Sequence, residues 1–160
     1  MKVGIVMGSK SDYPVVERTE KILAEFGVEY ETRIMSAHRT PVAAMDFAKS
    51  AEENGIEVIV AAAGKAAHLG GVLAAFTPLP VIGLPIKSST LTGLDSLLSI
   101  VQMPKGVPVA TVAIDGAENA GILAVQILSL KYPNLREKMI AYKKKMEEDV
   151  KKLDAEFRAE

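Results

Sequence analysis

Five short runs rich in β-branched and apolar residues recur along this chain, each separated from the next by a longer stretch, and no other feature narrows the possible folds as much. They place strands at 2–7, 29–35, 57–62, 81–84 and 109–113. Strands that alternate with helical segments build a parallel sheet covered by helices on both faces. The expectation is an α/β fold with a doubly wound parallel sheet. The helical segments are well punctuated. Residues 13–26 gather Val15, Val16, Ile22, Leu23 and Phe26 near one face and stop at Gly27, a natural C-terminal cap. Residues 41–54 open on Pro41 behind a possible N-cap, Thr40, and stop at Gly55. Residues 116–130 are rich in Ala and Leu with few charges, which predicts a helix buried on more than one side.

The tail differs in composition. Leu135, Met139, Tyr142, Met146, Val150, Leu153 and Phe157 recur every three or four residues among Lys and Glu, which predicts a C-terminal helix over 135–158 with a narrow apolar seam. That seam suits either the helix's own domain or a neighbouring subunit. No internal repeat, low-complexity tract or linker divides the chain. With 160 residues, 49% of them hydrophobic, it has enough apolar side chains for one full core, and a single domain over 1–160 is expected.

Composition also excludes partners. Nineteen basic and twenty acidic residues leave a formal charge of -1, which gives no field to attract nucleic acid or an anionic membrane. The chain has no cysteine, so disulfides and thiolate metal sites are ruled out. No apolar stretch approaches the ~20 residues that span a bilayer. The opening run up to Met7 is too short for a secretory signal, and a cytoplasmic location is expected.

In an open parallel sheet, ligands bind beyond the carboxyl ends of the strands, so the loops there hold the chemistry. After the first strand comes Met7-Gly8-Ser9-Lys10-Ser11-Asp12, with a glycine for a tight turn, two hydroxyls and a helix start that favours an anion. It lacks the three glycines of a dinucleotide fingerprint. Ser11 or Asp12 suits a simple helix cap equally well. After the second strand, Ser36-Ala37-His38-Arg39-Thr40-Pro41 offers a proton carrier in His38 and a planar anion-binding fork in Arg39. After the third comes Ala63-Gly64-Lys65-Ala66-Ala67-His68-Leu69-Gly70-Gly71. A P-loop is excluded here, because Ile59 stands where the first glycine belongs and Ala66 where Ser or Thr should follow the lysine. His38 and His68, the two histidines of the chain, lie on consecutive loops and are placed to converge on one pocket. Without a carboxylate pattern beside them they make no convincing zinc site. The fourth loop, 87–96, is long and hydroxyl-rich, suited to cover a pocket or to touch a subunit.

Met7-Gly8-Ser9-Lys10-Ser11-Asp12, Ser36-Ala37-His38-Arg39-Thr40-Pro41, Ala66-Ala67-His68-Leu69 and Ser99-Ile100-Val101-Gln102-Met103-Pro104 together resemble the PurE family, the N5-carboxyaminoimidazole ribonucleotide mutases of class I type. The resemblance runs in order from Met1 to about Lys145. It implies a three-layer, flavodoxin-like fold, a homo-octamer, a phosphoribosyl-aminoimidazole carbamate as substrate, and no cofactor or metal. By motif, Ser9, Ser11, Asp12 and Arg39 would hold the phosphoribosyl part. Ser36 and His38 would face the imidazole and the migrating carboxylate, with His38 as proton shuttle. Gly64, Lys65, Ala67, His68 and Leu69 would form the wall at the carboxylate end.

Two residues depart from the family pattern, which reads Ala-Gly-Gly-Ala-Ala-His-Leu-Pro-Gly in the third loop. Lys65 replaces a glycine and Gly70 a proline. Lys65 either points to solvent or adds positive charge beside the carboxylate. Three readings follow: a mutase acting on the carbamate, a carboxylase that takes aminoimidazole ribonucleotide and carbon dioxide directly, and a module that binds a phosphoribosyl ligand without turning it over.

Overall fold

The computed structural model describes residues 1–159. Its sheet consists of β1 (Lys2–Met7), β2 (Glu29–Ile34), β3 (Ile56–Gly64), β4 (Val81–Ile86) and β5 (Ala110–Thr111). The order is β2-β1-β3-β4-β5, and every pairing is parallel. This is the flavodoxin-like order, in which the chain reverses its winding direction between β1 and β3 and opens a crevice there.

Six helices cover the sheet among the described residues: α1 (Tyr13–Phe26), α2 (Pro41–Ser50), α3 (Leu69–Phe76), α4 (Leu94–Val101), α5 (Ala117–Leu128) and α6 (Pro133–Phe157). Side chains alternate across a strand, so each strand feeds two cores. Val3, Ile5 and Met7 of β1, with Val58, Val60 and Ala62 of β3, join a core with Leu23 of α1, Val125 of α5 and Leu135 of α6. The intervening Val6, Ile59, Ala61 and Ala63 pack with Phe47 of α2 and Leu73 of α3. The central strands are buried on both faces, which is why they read as unbroken apolar runs.

The strands match expectation except at their ends. β4 continues two residues beyond the expected end at Leu84, through Pro85 to Ile86. Pro85 has no N–H for a ladder, but β5 pairs only with Ile82 and Gly83, so the neighbour on that side has already ended. β5 itself is two residues long, shorter than the 109–113 run, because the chain leaves the sheet edge after Val112 donates to the Gly83 carbonyl.

α1 ends as expected at Gly27, in the left-handed conformation with φ +73°. α2 ends at Ser50, earlier than Asn54, and its Thr40 makes no capping bond to the helix. Two further helices, α3 and α4, have no clear apolar period in the sequence, although a helix start at His68 is one reading of that histidine. α3 carries Gly70 and Gly71 in its first turn, where poor helix formers hide the periodicity. In α4 the buried positions are Ser96 and Ile100, while Leu94 and Leu98 are exposed, so a serine sits on the buried face and two leucines lie off it. Ser96 is fully buried because its hydroxyl donates to the Ile86 carbonyl at 2.8 Å.

α6 begins at Pro133 and carries the expected seam, which the fold divides in two. Leu135 and Met139 are buried, and Tyr142 packs on Phe26 with ring centroids 5.5 Å apart. Met146, Val150, Leu153 and Phe157 are exposed, rising from 52% to 77%. At the amino end of β3, Glu57 accepts hydrogen bonds from Lys131 Nζ and Tyr132 Oη, each at 2.7 Å, and so ties the α5–α6 junction to the sheet. Among the described residues, no helix is long and apolar enough to cross a membrane.

Candidate active site

At the carboxyl edge of the sheet, the loops after β1, β2, β3 and β4 enclose a cavity of about 480 Å³. The β1 loop enters first. Ser9 caps a short 3-10 turn at Lys10–Asp12, accepting the Ser11 N–H at 3.3 Å, and the Ser9 and Ser11 hydroxyls lie 2.8 Å apart. Asp12 stands just before α1 but makes no side-chain cap. The residue is 8% exposed, and burial pushes its carboxyl pKa above the ordinary value although bonds from Ser11 and the Ser9 backbone oppose that. The capping role therefore belongs to Ser9 in the short turn, and Asp12 lines the cavity.

The β2 loop is held from within. The Ser36 hydroxyl accepts the N–H groups of His38 at 3.3 Å and Arg39 at 3.2 Å. Thr40 closes the same turn: its hydroxyl accepts the Ser36 N–H at 2.9 Å and donates to the Ser36 carbonyl at 3.1 Å. Arg39 reaches across to β1, its Nη2 donating to the Gly8 carbonyl at 2.9 Å. This contact locks the first two loops together and leaves the rest of the guanidinium for an anion.

The β3 loop turns tightly, Ala67 N–H donating to the Lys65 carbonyl and His68 N–H to the Ala66 carbonyl, each at 2.9 Å. Lys65 has φ +57°. A glycine adopts that left-handed backbone without strain, so the lysine occupies a glycine-type position. His68 precedes α3 without capping it. Its Nδ1 lies 2.9 Å from His38 Nε2, and the rings meet edge to face, 5.0 Å between centroids. One of the two nitrogens must carry the hydrogen and the other accept it. His38 Nδ1 has no hydrogen-bond partner among the described residues.

The cavity is lined by Ser9, Ser11, Asp12, Ser36, His38, Arg39, Gly64, Lys65 and Leu69, nine of the eleven expected site residues. Ala67 and His68 do not line it. Ala67 is fully buried in the core, and His68 is exposed and joins the site by its contact with His38. Sequence reasoning did not select Ala37, Ala63, Ile86, Lys87, Ser88 or Ser89, which also line the cavity. The last three open the expected hydroxyl-rich cover. Their approach depends on β4 continuing past Pro85, and that part of the strand has no clear signal in the sequence. The end of that loop, Leu94 to Ser96, belongs to α4 instead.

The lining has two characters. Asp12 is its single acidic side chain, against Arg39, Lys65 and Lys87, so it suits an anionic ligand. Ala37, Ala63, Leu69 and Ile86 are the apolar side chains of the lining. Among the described residues, no group of three or more His, Asp or Glu side chains is placed to hold a metal.

Residues 2–149 match the family model described as AIR carboxylase. The N5-carboxyaminoimidazole ribonucleotide mutase of Pyrococcus horikoshii is 62% identical over 95% of this chain and 88% of its own. That of Thermotoga maritima is 61% identical over 93% and 87%. The crystal structure of Treponema denticola PurE superposes with a TM-score of 0.87 at 28% identity, covering 97% of both chains. Sheet order, loop chemistry and relatives agree, and the chain belongs to the PurE family, also described as the AIR carboxylase family.

Proposed function

We propose that this chain is an N5-carboxyaminoimidazole ribonucleotide mutase of purine biosynthesis, moving a carboxyl group from the exocyclic amine of a phosphoribosyl-imidazole to the adjacent ring carbon. Beyond the kinship, the observation that carries this reading is His38 on the wall of an anion-suited cavity, with Nε2 committed to His68 and Nδ1 left open.

The reaction balances without a co-reactant. His38, protonated at Nδ1, gives that proton to the exocyclic nitrogen as its bond to the carboxyl carbon breaks and carbon dioxide is released. The ring carbon attacks carbon dioxide, forming the new carbon–carbon bond, and its proton returns to His38 Nδ1. The proton shared with His68 holds the imidazole in place through both steps and lets it gain or lose charge without losing a bond. Ala37, Ala63, Leu69 and Ile86 give the lining apolar surface suited to carbon dioxide, and the bound ribonucleotide over them limits the access of water.

Ser9, Ser11, Asp12 and Arg39 hold the phosphoribosyl part, and Ser36 orders the loop that carries His38. Gly64 and Leu69 shape the carboxylate end, while Ala67 and His68 support it. The chain works as one catalytic domain over 1–160, in the cytoplasm, without cofactor or metal, and with no nucleic acid or membrane partner. It assembles as a homo-octamer. The exposed end of the α6 seam supports assembly, as do Leu94, Leu98 and Val101 on α4.

His38→Asn tests the shuttle. The variant keeps hydrogen-bonding capacity but cannot carry the proton, so kcat should fall about 10²–10⁴-fold with ligand affinity retained. Wild-type turnover in the variant removes His38 from the chemistry. A wild-type protein that binds the ribonucleotide and never converts it is a binding module instead.

A further inference from the structure

Among the described residues, three other than glycine have left-handed backbones: Lys65, Thr92 and Asp115, which follow β3, β4 and β5 in turn. Asp115 gains local bonds from its position. Its Oδ1 accepts the Lys87 N–H at 2.8 Å and its own N–H donates to the Pro85 carbonyl at 2.8 Å. Thr92 donates its hydroxyl to the Leu91 carbonyl at 2.7 Å. The side chain of Lys65 has no such return. Among the described residues it has no hydrogen-bond partner, and no carboxylate lies within 4.0 Å of its ammonium. Lysine is not among the residues that tolerate this backbone well. Lys65 is exposed, and among the described residues Lys87 on the same cavity also has no side-chain partner, so the left-handed backbone is what sets Lys65 apart, and backbone strain of that kind clusters at ligand-binding sites.

Its place among the other charges says which part of the ligand it meets. Arg39 is bound to the Gly8 carbonyl on the β1 side, and it also lines a second crevice with Ser9 and Lys10. Lys65 does not line that crevice. It lies in the same short loop as His68, three residues before the partner of His38. Of the three cations in the lining, Arg39 is tied to the β1 loop, Lys87 follows β4, and Lys65 alone stands in the loop that carries His68.

We propose that Lys65 is a specificity-determining residue whose ammonium holds the carboxylate of the migrating group, so that this site favours carboxylated over uncarboxylated ribonucleotides. The inference rests on the ribonucleotide reading above. It assigns Lys65 the end of the ligand that the phosphate-holding residues do not reach. A lysine–carboxylate contact is charge-assisted and strong for its size, and it exists only for ligands that bear the carboxylate.

Titration calorimetry of wild type, Lys65→Met and Lys65→Arg with two probes, carboxyaminoimidazole ribonucleotide and aminoimidazole ribonucleotide, tests it. Methionine keeps the length and removes the charge. Affinity of Lys65→Met for the carboxylated probe should fall about tenfold, equivalent to about 1.4 kcal/mol, with affinity for the uncarboxylated probe unchanged. Lys65→Arg should restore most of the loss. Equal losses for both probes, or none for either, overturn the role of Lys65 and leave the ribonucleotide site standing. Wild-type protein that binds neither probe overturns the ribonucleotide reading and this inference with it.

Discussion

Asp12 shows how a single side chain couples binding to stability. Burial raises its pKa, so keeping it ionised in the folded state is a cost that the unfolded chain does not bear. That cost is complete above the folded-state pKa, shrinks as pH falls through it, and vanishes below the ordinary carboxylate value. Asp12→Asn should therefore be more stable than wild type at neutral pH, and the difference should close on acidification. Urea unfolding at a series of pH values checks this; a difference independent of pH contradicts it. Most of the site was legible in the sequence because position after a strand is itself a signal, and Ser9, Ser36, His38 and Arg39 each follow one. What was not legible was direction. Ala67 and His68 share a loop with Gly64 and Lys65, yet only the latter two face the cavity. The turn geometry that decides this lies in the backbone bonds from Ala67 and His68 to the carbonyls of Lys65 and Ala66.

At the scale of elements, two glycines make opposite predictions. A Cβ on Gly70 in α3 would meet Val109 Cγ1 at 3.5 Å and Ala61 Cβ at 3.6 Å, ordinary contact distances. Gly70→Ala should raise stability by about 0.5–1 kcal/mol, because a helical glycine gives up more freedom on folding than alanine. A Cβ on Gly83 in β4 would lie 2.3 Å from Ile100 Cγ2 and 2.9 Å from Val109 Cγ1. Gly83→Ala should cost about 1–3 kcal/mol by overpacking β4 against α4. Chemical denaturation of both variants tests the pair, and a Gly83→Ala protein as stable as wild type would contradict the packing described. The same packing explains which helices the sequence revealed. α1 and α5 have apolar faces of the expected period, whereas α3 begins with glycines and α4 turns a serine inward and leucines outward. Periodicity identifies a helix only when the buried face is the apolar one.

At the scale of the molecule, the sheet order was readable as a class, since alternating strands and helices admit few arrangements. The fate of α6 was not readable, because one seam serves two surfaces: Leu135 and Met139 close this chain's own core, and Met146 to Phe157 lie open. Light scattering should give a mass of about eight times the 17.1 kDa chain, and a monomeric mass contradicts the assembly proposed for the open part. The central claim is the reaction. It is tested most directly by following carboxyaminoimidazole ribonucleotide formation by absorbance, with the carbamate offered in one cuvette and aminoimidazole ribonucleotide with bicarbonate in another. Fast product from the carbamate alone is the predicted result; product formed faster from the second mixture would make the protein a direct carboxylase and contradict the account.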